Sequence, residues 1–504
     1  MSIQKEIKLF LSWLVSVYML SFGMSTQAAE MALSNSPLFL GTQIDPNIFF
    51  MLDDSGSMDW EILTQPYHYY SDYWSSASTV GLRTDGYFRM SSSVGASCTG
   101  TRNYAYIYSN SINSDNVYNS CSYVAVGDHS DAAVRDWRVR NAFFNIMYYN
   151  PSATYNPWNG YSNASFTAAR SNPVVGSAGY TRLNNLTGFV YDVWVDDKGF
   201  TGPTAEGYTN VTDTPNGLVD LYDKHTQYTV GATSVTKLER APRNAAWITS
   251  NATNCLTTDA TTTPQYVNCY GTVATTSVIS GAMLDAYGRT YSQVQQNVAN
   301  WYQYHRRRSF AAKSAISQVV SSNTSFRFGI SLLNDSSSLF VEVPDELITD
   351  FDPHNDALLE SMFEYTWSAN GTPLRRGLEV VGRYYSDYYS GTYADPIISS
   401  CQQNYSVLFT DGYWSGSDPF TVAIDDEDGD GFVDTLADVA HYFYTEDLSP
   451  LPNDVPTSTI DQNSQQHMVT FTVAFGVDGN LVDTDGDRYP NPTLLVNDVW
   501  GGIL

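Results

Sequence analysis

The sequence predicts an α/β fold with a doubly wound, mainly parallel sheet and a large, loop-rich insertion with β structure after the first strand. Three observations favour this class: four continuous apolar runs of strand length, amphipathic helical patterns between them, and one long polar segment that interrupts the alternation. The chain has 504 residues, enough for two or three folding units or for one domain with a large insertion. Hydrophobic residues make up 42% of it, which excludes general disorder.

The four apolar runs are predicted to be buried parallel strands, because a strand that is covered on both faces has continuous rather than alternating apolar sequence. They lie at 48–52, 326–333, 405–409 and 468–475. Apolar residues at helical spacing separate the runs. These residues are Val294, Val298, Trp301, Ala311, Ala315, Ile316 and Val319, then Leu374, Leu378 and Val381, and then Leu436, Val439, Ala440 and Phe443.

The first 29 residues are predicted to be a secretory signal peptide. Lys5 and Lys8 precede an apolar run at 9–20, and small residues follow at 25–29. An uncleaved membrane anchor is the alternative, but the run is shorter than the ~20 residues that a membrane span needs. We therefore expect an exported protein that passes through the periplasm and is not inserted in the membrane after cleavage.

The remaining chain divides where the alternation of strands and helices begins, breaks and resumes. The predicted segments are an N-terminal lead at 30–46, the first strand with its loop at 47–59, an inserted domain at 60–287, the remainder of the α/β domain at 288–478, and an acidic tail at 479–504 that leads to a missing region.

The inserted domain holds four of the five cysteines, which suits a loop-rich structure that disulfides crosslink in an oxidising compartment. Cys98 with Cys121 and Cys255 with Cys269 are the pairs closest in sequence, but the connectivity stays open. Cys401 is then left as a free thiol or for an intermolecular partner.

The charge balance excludes one class of partner. Lys and Arg number 25 against 53 Asp and Glu, which gives a net charge of -28. An acidic surface repels phosphate backbones and anionic lipid, so we expect no nucleic-acid partner. The same surface suits divalent cations.

Oxygen-bearing side chains stand at the ends of two predicted strands. Asp53, Ser55 and Ser57 are spaced by two after the first run, and an extended loop can direct their oxygens to one side as a partial shell for Mg²⁺ or Mn²⁺. Asp411 follows the third run and adds a second carboxylate at the same edge of the sheet, while Thr372 offers a hydroxyl at the start of a helix. The alternatives are a polar turn at 53–57, a helix cap at Thr372 and a turn former at Asp411.

These residues resemble the von Willebrand factor A domain and its metal-ion-dependent adhesion site, with the three loops in that family's order. The resemblance implies that Ser55, Ser57 and Thr372 bind the metal directly, and that Asp53 and Asp411 bind it directly or through water. It also implies one open coordination position for the carboxylate of a partner.

The densest acidic run is predicted to bind Ca²⁺, with a solvated acidic loop as the alternative. Gly431 stands where the turn of an EF-hand-type loop needs glycine, but Ala437 replaces the bidentate Glu. The ligands of this loop would be Asp426, Asp428, Asp430, the carbonyl of Phe432, and Asp434. A second, less complete loop has Arg488 in place of the glycine and would use Asp483, Asp485, Asp487 and Asn491.

Three further stretches, at 148–158, 296–308 and 434–444, resemble PilY-type proteins, the tip-associated adhesins of type IV pili. The similarity runs from about Pro46 to about Phe475. It implies metal-dependent adhesion and pilus biogenesis at the pilus tip, with pilin or minor pilins and a host-cell or surface receptor as partners. PilY-type proteins also carry a C-terminal β-propeller that has no counterpart here, so we expect a fragment or a short member.

The alternative to an adhesin is a structural assembly factor whose cations only stabilise the fold. An enzyme is not expected, since the seven histidines show no helical pairing and the sequence has neither His-x-x-Glu-His nor Gly-x-Ser-x-Gly.

Overall fold

The structure is a computed structural model that describes residues 44–63, 81–82, 88–90, 102–104, 106–108, 140–142, 145–174, 182–195, 224–240, 273–334, 339–345, 350–367, 370–411, 426–427, 431, 433–459 and 461–475. The chain separates into the units Met1–Ile44 and Asp45–Leu504, and the sheets and helices that the structure describes belong to the second. The predicted signal peptide, the acidic tail and four of the cysteines lie outside the described residues. Cys401 is described and carries a free thiol.

In chain order, the strands are β1 (Asn47–Leu52), β2 (Gly81–Leu82), β3 (Phe88–Met90), β4 (Arg102–Tyr104), β5 (Ala169–Arg170), β6 (Leu183–Asn184), β7 (Phe189–Val195), β8 (Lys224–Val230), β9 (Ser234–Arg240), β10 (Val273–Ser280), β11 (Arg327–Leu332), β12 (Phe340–Val341), β13 (Asn404–Thr410) and β14 (Met468–Ala474). The helices are α1 (Tyr291–Tyr304), α2 (Arg308–Ser322), α3 (Asp352–Glu364), α4 (Leu374–Tyr385) and α5 (Leu436–Thr445), and a 3-10 turn spans Gly56–Asp59.

A five-stranded sheet with the order β12-β11-β1-β13-β14 organises the α/β part. Its four long strands coincide with the four apolar runs and are parallel, while the short edge strand β12 is antiparallel. Phe50 of β1 lies between Ile330 of β11 and Val407 of β13. The predicted α/β class with a mainly parallel sheet is thereby confirmed, and the specific A-domain likeness stays a prediction.

Helices cover both faces of this sheet. Phe50 and Leu52 point into a core with α1, α2 and α3, and Phe49 and Met51 point into a second core with α4 and α5. Neither β12 nor α3 was predicted. The spacing of Leu358, Leu359, Met362 and Phe363, all of them buried, is the signal that could have revealed α3.

The predicted apolar stripe of α2 is wrong in phase. The buried side carries Ala312, Ile316 and Val320, whereas Val319 is 45% exposed. Lys313 also lies on the buried side, where its ammonium donates hydrogen bonds of 2.8 Å to the carbonyl oxygens of Phe363 and Tyr365. Polar residues on the buried side reduce the contrast between the two sides of the helix, so hydrophobic spacing alone does not identify the buried one.

The described part of 60–287 contains three antiparallel sheets, ordered β10-β9-β8-β7, β2-β3-β4 and β5-β6. Tyr148, Trp158 and Tyr191 from this region belong to the same hydrophobic core as β1 and α1. The described part of the region therefore packs directly on the sheet-and-helix layer, and its division into a separate domain stays a prediction. No helix within the described ranges is long and apolar enough to cross a membrane.

The stretches at 148–158 and 296–308 contact one another. Asn297 of α1 accepts a hydrogen bond from the backbone N–H of Tyr155 at 2.8 Å and donates to the carbonyl of Ala153 at 2.9 Å. The indole of Trp158, which is fully buried, donates to the carbonyl of Tyr304 at 2.9 Å. Trp158 is thus a buried contact of α1, whereas the neighbouring Asn156 is exposed.

Replacement of Asn297 by Leu should lower the free energy of unfolding by about 2–4 kcal/mol, because the backbone groups of Tyr155 and Ala153 would lose their partners inside the protein. Urea denaturation measures the change. The matched control is Gln295→Leu, which removes one 3.2 Å hydrogen bond to the carbonyl of Gly231 and should cost less than about 1 kcal/mol. Equal losses in the two variants would contradict this account.

Candidate metal centre

Main-chain contacts hold the loop after β1 against the two other loops of the predicted site. The backbone N–H of Asp53 donates to the carbonyl of Phe409 at 2.9 Å, which continues the parallel pairing of β1 with β13. The backbone N–H of Gly56 donates to the carbonyl of Asn370 at 3.1 Å. Residues separated by more than 300 positions are thereby brought to one edge of the sheet.

Four of the five predicted ligands form one connected group of oxygen atoms. The Ser57 hydroxyl donates to Oδ1 of Asp411 at 2.7 Å, and the hydroxyl oxygens of Ser55 and Ser57 lie 3.1 Å apart. Oδ1 of Asp53 accepts the backbone N–H of Ser55 at 2.7 Å, and its Oδ2 accepts the Thr410 hydroxyl at 2.8 Å. The alternating Asp-x-Ser-x-Ser spacing does turn its polar groups towards Asp411.

Thr372 lies in the loop next to this group and is 7% exposed. Asn334 connects its loop to the first loop, because the Asn334 side-chain amide donates to the Gly371 carbonyl at 2.7 Å and to Oδ1 of Asp54 at 2.9 Å. Helix α4 has Pro373 as its N-cap and no side-chain capping hydrogen bond. Pro373, and not Thr372, is therefore the N-cap residue of α4, and metal binding by Thr372 stays a prediction.

The two carboxylates interact unfavourably. Burial and the neighbouring Asp411 carboxylate raise the pKa of Asp53 to about 7, although hydrogen bonds from Ser55 and Thr410 act in the opposite direction. Both aspartates are buried. A positive charge beside them would offset the repulsion that two ionised carboxylates meet in a medium of low polarity.

Arg308 already supplies one such charge, and it was not among the predicted site residues. Its Nη1 lies 2.7 Å from Oδ2 of Asp411, with side-chain exposures of 3% and 0%. Arg306 and Arg307 pair in the same way with Glu61 and Asp59, carboxylates that follow the metal loop. The only hint in the sequence was that three consecutive arginines end the 296–308 stretch.

Further residues outside the motif stabilise the first loop on the side that faces away from the oxygen group. Asp54 points away from the oxygen group, and its carboxylate accepts hydrogen bonds from the Asn334 backbone at 2.9 Å and from the Tyr365 hydroxyl at 3.1 Å. The Trp367 indole donates to the carbonyl of Asp53 at 3.2 Å. These contacts fix the backbone from which Asp53, Ser55 and Ser57 project.

The donor chemistry fits Mg²⁺ or Mn²⁺, which prefer oxygen ligands and accept a mixture of carboxylate, hydroxyl and water. Among the described residues, no group of three or more His, Cys, Asp or Glu side chains could hold a metal ion. A cation at this centre would therefore depend on the hydroxyls of Ser55, Ser57 and Thr372 as much as on the two carboxylates. Its binding stays a prediction.

The first calcium-like loop is described in part, since Asp428, Asp430 and Phe432 lie outside the described residues. Gly431 has φ of 90°, the left-handed conformation that the sharp turn requires. Oδ2 of Asp426 accepts the backbone N–H of Gly431 at 2.9 Å, while its Oδ1 is buried with no hydrogen-bond partner among the described atoms. An orphaned carboxylate oxygen fits a cation ligand.

Asp438 follows this loop, and its carboxylate binds backbone N–H groups. Its two carboxylate oxygens accept the backbone N–H groups of Glu427 at 3.0 Å and Thr435 at 2.7 Å. It thus caps α5 and ties the acidic loop to the helix. The second calcium-like loop, with Asp483, Asp485, Asp487 and Asn491, lies outside the described residues.

Comparison with curated proteins finds similarity to the type IV pilus biogenesis factor PilY1 of Pseudomonas aeruginosa. The PAO1 protein is 27% identical over 271 residues, which cover 43% of this chain and 23% of the relative. The PAK protein is 27% identical over 243 residues, covering 39% and 21%, and the UCBPP-PA14 protein is 22% identical over 243 residues, covering 41% and 21%. The matched part of the chain thus spans about a fifth of the length of these relatives.

No family model and no solved structure matches the chain. The resemblance to PilY-type proteins is therefore confirmed as modest similarity over part of the chain, whereas the A-domain adhesion site stays a prediction.

We expect Mn²⁺ or Mg²⁺ to stabilise the protein through Ser57 and Asp411. At a cation concentration about 100-fold above Kd, the free energy of unfolding should rise by about 2.7 kcal/mol, because the cation binds the folded chain only. Thermal unfolding with and without the cation measures this, and the gain should disappear in Ser57→Ala and in Asp411→Asn. Asp447→Asn, which changes an exposed aspartate after α5, is the control and should keep the gain. An unchanged wild-type midpoint at all cation concentrations would contradict the site.

A chelator selective for Ca²⁺, added in the presence of excess Mg²⁺, should lower the thermal midpoint if the loop around Asp426 holds calcium. Asp426→Asn should abolish this response, because it weakens the ligand whose Oδ1 is unpaired in the fold. Asp447→Asn, which changes an exposed acidic residue after α5, should preserve it. A midpoint that does not respond to the chelator would favour the solvated acidic loop.

Proposed function

We propose that this chain is a secreted, metal-dependent adhesion and pilus-biogenesis protein of the type IV pilus tip. One observation carries the adhesive part: the loops after β1 and β13 meet, with the Ser57 hydroxyl 2.7 Å from the Asp411 carboxylate, and the Thr372 loop lies beside them. The pilus part is supported by the similarity to PilY1 proteins, which are described as type IV pilus biogenesis factors. It is supported further by the predicted signal peptide.

The proposed function of the metal centre is to bind a partner protein, with no chemical reaction. Ser55, Ser57 and Thr372 would present hydroxyl oxygens to Mg²⁺ or Mn²⁺, and Asp53 and Asp411 would bind it directly or through water. When bound, the cation supplies an electrophilic centre that accepts a carboxylate from a partner protein. The protein's own contribution is preorganisation, since hydrogen bonds from Thr410, Trp367 and the Ser55 backbone already fix the Asp53 backbone and carboxylate.

The proposed route and partners follow from the same arguments. The chain would leave the cell through its signal peptide, cross the periplasm and reach the pilus tip at the cell surface. There it would contact pilin or minor pilins and a host-cell or surface receptor with an exposed carboxylate. We propose no enzymatic activity for it.

A structural assembly factor is the second candidate, in which cations at the metal centre and at the calcium-like loop only stabilise the fold. The burial of the centre favours this candidate, because Asp53 and Ser55 are almost inaccessible to solvent. The two candidates differ in what a folded variant without the metal centre can still do.

Asp53→Ala should separate the two candidates in a strain whose own copy of the gene is deleted. The adhesin proposal expects receptor-dependent attachment to fall by about tenfold or more, since loss of one metal-binding carboxylate costs at least ~1.4 kcal/mol of binding, while pilus number is retained. Circular dichroism of the purified variant checks that it folds, and Asp447→Asn, which changes an exposed aspartate outside the three loops, is the control. Normal attachment by a folded Asp53→Ala protein would rule out the adhesion site.

A further inference from the structure

The Asp411 carboxylate is shared between the metal loop and an arginine. Its Oδ1 accepts the Ser57 hydroxyl at 2.7 Å, and its Oδ2 accepts Nη1 of Arg308 at 2.7 Å. The side chains of Arg308 and Asp411 are both almost completely buried, so solvent screens their charges weakly. A guanidinium thus lies within hydrogen-bonding distance of a carboxylate that a divalent cation would also need.

We propose that Arg308 is a positioning residue that competes with the divalent cation for Asp411 and thereby sets the affinity of the metal centre. The inference rests on the proposed function and deepens it, because it identifies the residue that limits cation binding. The Asp411 carboxylate binds Arg308 through one oxygen and Ser57 through the other. A divalent cation that binds beside Ser57 must share the charge of this carboxylate and also meets the repulsion of the guanidinium.

Arg308 has anchors that do not depend on Asp411. Its backbone N–H donates to the Trp60 carbonyl at 3.1 Å, and its Nη2 donates to the Ile62 carbonyl at 2.6 Å. The centre of its guanidinium lies 5.3 Å from the Trp60 ring, within the range of a cation–π contact. These contacts would keep Arg308 beside the metal centre when a cation binds Asp411. The positive charge of Arg308 would then continue to repel that cation.

The neighbouring arginines show that burial alone does not create this competition. Arg306 is equally buried and binds Glu61 at 3.0 Å, and Arg307 binds Asp59. Neither carboxylate belongs to the proposed ligand set. Arg306 is consequently a matched control: a buried arginine from the same stretch, paired with a carboxylate that the cation does not use.

The test is isothermal titration calorimetry of the full chain with Mn²⁺ and with Mg²⁺, using the metal salts alone as ligands. Arg308→Met and Arg308→Gln remove the charge, and the glutamine keeps an amide that can donate to the Ile62 carbonyl, which gives a second variant if the methionine does not fold. We expect the Kd for Mn²⁺ to fall about tenfold or more in either variant. Arg308→Lys, which keeps a charge, should remain within about threefold of wild type, and Arg306→Met should leave Kd unchanged.

A double variant shows whether the effect passes through Asp411. In the Asp411→Asn background, where we expect only weak Mn²⁺ binding, Arg308→Gln should restore little or no affinity, because the carboxylate for which the arginine and the cation compete is absent. If Arg308 had only a structural role, its replacement would change thermal stability, and any effect on Kd would not depend on Asp411.

The possible outcomes distinguish a failure of the Arg308 proposal from a failure of the metal centre. If wild type binds Mn²⁺ and the folded charge-removing variants bind it equally or more weakly, the competition is wrong and the proposed metal-dependent function stands. If neither wild type nor the folded Arg308 variants bind Mn²⁺ or Mg²⁺ at millimolar concentration, the metal centre itself is wrong, and Arg308 and Asp411 form a structural ion pair. If only the charge-removing variants bind, the competition is supported, but the metal-dependent function proposed for the wild-type protein is contradicted.

Discussion

Parallel pairing of β1 with β13 places two acidic residues at the same edge of the sheet, and much of the surrounding structure balances that charge. The register aligns Leu52 with Phe409, so the chain emerges from the two strands side by side, and Asp53 and Asp411 follow within two residues. Burial, together with repulsion between the two carboxylates, accounts for the raised pKa of Asp53. A sheet edge with two buried acids requires compensation by hydrogen-bond donors and by positive charge.

The compensation comes from three directions. Backbone and hydroxyl donors from Ser55 and Thr410 engage Asp53, Ser57 engages Asp411, and Arg308 approaches Asp411 from the start of α2. Asp54 instead accepts hydrogen bonds from Asn334 and Tyr365, so the two adjacent aspartates of this loop have different partners. Both aspartates are buried, but only Asp53 faces the oxygen group, whereas Asp54 stabilises the loop through its own partners.

The parts of the fold that depend on short-range pattern were predictable, and those that depend on distant partners were not. Continuous apolar runs revealed all four parallel strands, and the polar residues at their ends revealed Asp53, Ser57 and Asp411 as neighbours. The phase of α2 was wrong because Lys313 is buried against backbone carbonyls, a contact that hydrophobic spacing cannot reveal. Arg308 was not identified because its partner is 103 residues away in sequence, and no local signal marks a buried arginine. The role of Asp438 was likewise not predicted, because one of the two backbone N–H groups whose hydrogen bonds it accepts belongs to Glu427, 11 residues away.

The ion pairs of Arg306 and Arg307 also have a mechanical consequence. Asp59 and Glu61 lie where the chain leaves the sheet for the region at 60–287, and the two arginines lie just after α1, where the chain has returned from it. Buried pairs therefore clamp the outgoing and incoming segments to each other close to the sheet. A pull on the chain between those segments would have to break these buried ion pairs, as well as the core contacts of Trp158 and Tyr191, before it displaced the loop that begins at Asp53.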